Sequence, residues 1–175
     1  MISKSRPKKN SGGFSFFIPR SGPFPNPFVD WVKAKIMKKR VTGIGGIFFK
    51  VRNPDVTKSW YEKHLGLNTD RYGTAFEWRS SEQPERKGFS QWSPMNSDTD
   101  YFKPSEKDFM INYRVENLVE LVELLKSEGV TVLDKIETFE YGKFVHILDP
   151  DGHSIELWEP NDEVYDRLVE GRTKS

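Results

Sequence analysis

The chain has 175 residues, 30% of them charged, with a net charge of +1 and no cysteine. That length suits one domain with a sizeable core, or two small modules sharing one, and leaves no room for a second large domain. The lack of cysteine removes disulfides, thiolate metal sites and cysteine nucleophiles and makes the cytoplasm the default expectation, while no apolar run approaches the ~20 residues of a membrane span and the N-terminus lacks a signal-peptide core.

Charge is uneven along the chain. Residues 1–36 carry Lys4, Arg6, Lys8, Lys9, Arg20, Lys33 and Lys35 against Asp30, a local +6 that leaves −5 for the rest of the chain. A nucleic-acid partner is therefore not expected for the folded part. Between Ser11 and Phe28, Gly, Pro, Ser and Asn interrupt every aromatic run, as expected of a disordered tail. The competing reading pairs the basic residues with Phe14, Phe16, Phe17, Phe24 and Phe28 as a contact surface for RNA or an anionic membrane. Phe28, Val32 and Ile36 have the spacing of one short helix. Met37 stands just before the first strong strand, so residues 1–36 are expected to be a dispensable extension.

The first strand is predicted from Gly46 to Val51. Asn53-Pro54 supplies an N-cap and a proline at the first helical position, and Val56, Trp60 and His64 fall four apart before Gly66 closes the helix. Strand candidates follow at 67–71, 74–80 and 87–93, then a polar linker at 95–107. The next strand runs from Met110 to Val115, with Asn117 as cap and Leu118, Leu121, Val122 and Leu125 as the apolar stripe of a helix ending at Gly129. Three more strands are expected at 130–138, 142–148 and 154–159, and a short closing helix at 161–169.

The order strand, helix, three strands thus occurs twice. GIFFKVRN from Gly46 returns as MINYRVEN from Met110. Tyr72-Gly73 matches Tyr141-Gly142, and Trp92-Ser-Pro94 is matched to Trp158-Glu-Pro160. A repeat of this size predicts two βαβββ modules, an α+β fold, and a pocket between the copies.

The stretches VRNPDVTKSWYEKHLGL and GKFVHILDPDGHSIELWEP resemble the vicinal-oxygen-chelate superfamily of glyoxalases, bleomycin-resistance proteins and extradiol dioxygenases over residues 43–160. The resemblance implies a cupped mixed β-sheet with helices outside. It divides the domain, residues 37–160, into module one at 43–94, the linker, and module two at 108–160, followed by a tail at 161–175. It also implies a homodimer as the family expectation and a divalent metal held by the first and last strands of each module. Here those positions are Gly46, Met110, Glu156 and, from the matched tryptophans, Ser90, or Gln91 with a one-residue slip. One carboxylate cannot replace the usual three ligands, and a thioether suits hard metals poorly, so no metal and no other cofactor is expected.

Strand alternation assigns the faces. Ile155, Leu157, Ile111, Tyr113 and Val115 should pack under the helices. Toward the cup should point Gly46, Phe48 and Lys50, then Met110, Asn112 and Arg114, then Ser154, Glu156 and Trp158, with Trp92 and His146 beside them. His64 and His153 are placed on the first helix and in the D-P-D-G-H turn. The expected function is binding of a small organic molecule in an aromatic cup, at Phe48, Lys50, Trp92, Met110, Asn112, His146 and Trp158. One alternative is a metal-independent lyase or isomerase in which Glu156 is the general base and Arg114, Asn112 or His146 steadies an oxyanion. A second is a metal-dependent glyoxalase or dioxygenase with atypical ligands.

Overall fold

The computed structural model describes residues 40–81, 83–170 and 173–174. The readings of residues 1–36, including the short helix from Phe28 to Ile36, lie outside them. Among the described residues nine strands form one mixed sheet: β1 (Val41–Val51), β2 (Thr74–Arg79), β3 (Lys87–Asn96), β4 (Phe109–Val115), β5 (Thr131–Val132), β6 (Glu137–Phe139), β7 (Gly142–Leu148), β8 (Ser154–Pro160) and β9 (Thr173–Lys174). The helices among the described residues are α1 (Pro54–Leu65), α2 (Leu118–Ser127) and α3 (Asp162–Leu168). No helix among the described residues is long and apolar enough to cross a membrane.

The strand order is β5-β7-β8-β4-β1-β3-β2-β9, with β6 against β7. The two modules meet where β1 and β4 run antiparallel, and each pairs in parallel with the last strand of its own module, β1 with β3 and β4 with β8. Ile47 and Ile111, which hold equivalent places in the two copies of the repeat, pair directly with each other, so the twofold relation between the copies passes through that pair.

Residues paired across neighbouring strands share a face. One row reads Trp92, Ile47, Ile111, Ile155 and Ile147, and both α1 and α2 lie on its side. Trp92 packs at a tilt against Tyr61 of α1, with ring centroids 4.7 Å apart, and Ile155 and Ile147 pack against the core beneath α2. The next row carries Gln91, Gly46, Asn112, Glu156 and His146 on the opposite, inner face.

The two helices are fixed very differently. Leu118, Leu121, Val122 and Leu125 of α2 are buried against Val115, Val145 and Leu157, as the apolar stripe predicts. In α1 no residue is fully buried, and the Val56–Trp60–His64 stripe faces outward, with Val56 65% and Trp60 53% exposed. Its ends still form as expected. The Asn53 side chain accepts from the Asp55 and Val56 amides at 3.0 and 3.1 Å, and Gly66 closes the helix at φ 67°.

Several local expectations need correction. Asn117 does not cap α2 with its side chain: it sits at φ 53°, and the Leu118 amide instead donates to Glu159 Oε2 on β8 at 2.7 Å. Residues 67–71 form no strand, because the Asp70 carboxylate accepts the Tyr72 and Gly73 amides at 2.7 and 3.1 Å and turns the chain back at once. The segment 130–138 divides into β5 and β6, because Asp134 between them turns aside to accept the His146 amide at 2.8 Å.

The echo of Tyr72-Gly73 in Tyr141-Gly142 is structural. Both glycines have positive φ, 117° and 142°, and a Cβ would lie 1.9 Å from the Trp92 carbonyl oxygen at Gly73 and 2.5 Å from that of Glu159 at Gly142. The echo of Trp92 in Trp158 is not. Phe48 pairs with Ser93 just as Asn112, its equivalent in the second copy, pairs with Glu156, which makes Ser93 the counterpart of Glu156. Trp92 is outward like its true counterpart Ile155, whereas Trp158 is inward.

Candidate functional site

Asn112 lies on β4 between Gly46 of β1 and Glu156 of β8, and His146 lies beyond Glu156 on β7. The extended backbone of these strands leaves their side chains on the inner face with nowhere to turn but toward each other. Glu156 is 2% exposed. Its Oε2 accepts from Asn112 Nδ2, and its Oε1 accepts from the Tyr101 hydroxyl, which arrives from the loop between β3 and β4. His146 Nε2 lies 3.3 Å from the same Oε1, near enough for ion pairing but poorly aligned for a hydrogen bond. On its other side His146 Nδ1 meets Asp134 Oδ2 at 2.6 Å.

The electrostatics follow from this crowding. Burial alone would lower the His146 pKa, but the Glu156 and Asp134 carboxylates outweigh it and raise the imidazole to about 9. Burial and then the Glu156 charge push the Tyr101 phenol well above its ordinary value, so it stays a hydrogen-bond donor. Asn112 is 2% exposed, and its Oδ1 has no hydrogen-bond partner. That oxygen fits only because residue 45 is glycine, where a Cβ would lie 2.0 Å from it.

Phe48 and Met110 form the neighbouring inner row with Ser93. Phe48 meets Tyr101 edge-on at 6.3 Å, and Met110 is fully buried. Lys50 sits at the end of β1 with its ammonium 5.5 Å from the Phe102 ring. Trp92 is apart from all of these, on the outer face between Tyr61 and Phe49, because its strand register is one residue from that expected of an inward side chain. Gln91 is inner, whereas the Ser90 hydroxyl is spent on the Ile44 carbonyl and the Trp78 indole.

A second cluster lies further along the inner face. Trp158, 2% exposed, stacks at 5.7 Å on Phe144 and receives the Tyr165 ring edge-on at 4.8 Å. Ala75, Phe89 and Val169 complete it. Arg114, 3% exposed, places its guanidinium 4.9 Å from the Trp158 ring and 5.6 Å from the Trp78 ring, and donates from Nη2 to Asp162 Oδ1 on α3. His64 and His153 belong to neither cluster: the first lies tilted against Trp60 at 4.8 Å, and the second pairs with Asp149 at 2.9 Å within its turn.

Sequence reasoning missed Tyr101, Asp134, Trp78, Asp162 and Tyr165. For Tyr101 a signal existed, since Tyr101-Phe102 interrupts an otherwise polar linker; Phe102 is fully buried, and its carbonyl accepts the Ser154 hydroxyl at 2.7 Å. Asp134 and Asp162 look like ordinary turn and cap residues.

The comparisons agree with this architecture. The model of the Glyoxalase/Bleomycin resistance protein/Dioxygenase superfamily matches residues 43–157, and the chain belongs to that superfamily. Among solved structures, methylmalonyl-CoA epimerase of Streptomyces coelicolor in complex with 2-nitronate-propionyl-CoA is similar at TM-score 0.51 and 14% identity, over 69% of this chain and 99% of that one. Methylmalonyl-CoA epimerase from Mycobacterium tuberculosis aligns at TM-score 0.49 and 20% identity, over 74% of this chain and 95% of that one. A superfamily member from Vibrio splendidus 12B01 aligns at TM-score 0.41 and 12% identity, over 66% and 97%. At 14% identity the likeness to the Streptomyces coelicolor enzyme is one of fold. No curated protein matches the chain.

Proposed function

We propose that this protein is a binding module of the superfamily, in which a hydrogen-bonded side-chain network stands where relatives place a metal and the aromatic part of the inner face takes a small organic molecule. The observation that carries this reading is the state of Glu156. Both of its carboxylate oxygens already accept, from Tyr101 and Asn112, and His146 supplies positive charge beside them.

The donor set does not fit a divalent cation. Gly46 has no side chain, Met110 offers a buried thioether, and Ser93, the counterpart of Glu156, spends its hydroxyl on the Tyr72 carbonyl at 2.6 Å. Among the described residues no three His, Asp or Glu side chains converge as ligands would. The burial of Glu156 at 2% exposure, behind the Tyr101 and Asn112 donors, argues against a general base, which must face the substrate.

Native mass spectrometry of the full-length protein purified under mild conditions tests the reading, with Glu156→Gln in parallel. A co-purified small molecule retained by both proteins is the expected result. Turnover of that molecule by the wild type, lost about a hundredfold or more in Glu156→Gln, would instead establish the general base.

A further inference from the structure

Arg114 presents an unusual combination: a guanidinium buried between two indoles, with one terminal nitrogen unpartnered. Nη2 donates to Asp162, yet Nη1, equally buried, has no hydrogen-bond partner. A buried charged donor without an acceptor is costly, and it marks a place where a better acceptor would be stabilising. Asp162 is a poor fit because it is shared. Its Oδ1 takes Arg114 and its Oδ2 takes Arg86 at 3.1 Å, so it cannot turn both oxygens to Arg114. A free carboxylate can take both terminal nitrogens in the bidentate geometry that guanidinium favours.

The residue three positions on completes the pattern. Asp162 and Tyr165 lie on one side of α3. While Asp162 engages the cation, the Tyr165 ring fills a slot between Trp158 and Phe89, at 4.8 and 5.7 Å, and its hydroxyl donates to Gln91 Oε1 at 3.2 Å. An acid and an aromatic ring from the chain's own helix thus occupy a cation and an aromatic slot on the inner face. We infer that α3 stands in for the ligand, and that the site takes a small aromatic carboxylate, its carboxylate on Arg114 and its ring in the slot of Tyr165, with α3 displaced. This rests on the binding reading above and names the ligand class for it.

The test is calorimetric titration of the full-length protein with 3-phenylpropionate and with its neutral amide. Three forms are compared: wild type, Asp162→Asn/Tyr165→Ala, and the same double variant carrying Arg114→Gln. The acid should bind the double variant about tenfold or more tighter than the wild type, and about tenfold tighter than the amide does; with Arg114→Gln that preference should vanish. If circular dichroism shows the double variant unfolded, Asp162→Asn alone should still tighten the acid about threefold or more while leaving the amide unchanged. Equal binding of acid and amide by the double variant, or no gain over the wild type, overturns the inference and leaves the binding reading standing. Failure of both compounds to bind any folded form overturns the inference as well, while the binding reading falls only if native mass spectrometry finds no co-purified molecule.

Discussion

A carboxylate that is 2% exposed and set among aromatic rings has to be neutralised by what surrounds it, and Glu156 is met by a phenol, an amide and an imidazole. Removing it by Glu156→Ala strands all three partners, and a loss of about 3 kcal/mol or more of unfolding free energy is expected in urea titrations. The pH dependence belongs to His146. Its pKa in the folded protein is raised from 6.5 to about 9, so its contribution is fully present below pH 6.5 and is lost as the pH climbs through 9. Melting temperature should therefore fall between pH 6.5 and 9.5 in the wild type by several degrees more than in His146→Gln. Equal slopes in the two proteins would remove the imidazole from the network.

Among the elements, the two related helices have diverged in how they are held. Four buried residues anchor α2, while α1 has no buried residue and meets the sheet with Tyr61 against Trp92. Leu125→Ala should cost about 2–4 kcal/mol, and Val56→Ala, at a 65% exposed site, no more than about 0.5 kcal/mol. Denaturant unfolding of the two variants checks the contrast. The Glu159 carboxylate that caps α2 from β8 should be worth about 1 kcal/mol, measured as Glu159→Ala.

The elements also show what is legible in the sequence. The caps of α1, the stripe of α2 and strands β4, β7 and β8 follow from local chemistry, namely Asn53-Pro54, Gly66, a helical apolar period and alternation. Local preference also points to an Asn117 cap and a strand at 67–71, but a distant group, Glu159, and a side-chain turn at Asp70 win over it. The inner row is legible through alternation, which places Asn112, Glu156 and His146 together. Tyr101 and Tyr165 are not, because they reach the site from a loop and a tail whose course no strand period predicts.

Across the whole molecule, the duplication gives symmetry of frame without symmetry of content. Ile47 and Ile111 mark the twofold relation, and around it Ser93 answers Glu156 while Gly46 answers Met110. The matched tryptophans suggest a different alignment, with Trp92 inward. The register set by Phe48 with Ser93 and Asn112 with Glu156 decides otherwise, since a one-residue shift turns every side chain to the other face.

If side chains of this chain fill the place of the family's metal, no metal should bind there, and equilibrium dialysis decides the point. Full-length protein purified without chelator is dialysed separately against micromolar zinc, nickel, cobalt and manganese, and bound metal is then measured by elemental analysis. Well under about 0.1 equivalent of each is expected, unchanged in Glu156→Gln. One equivalent of any of these metals, lost in Glu156→Gln, would mean that the network is a metal site after all.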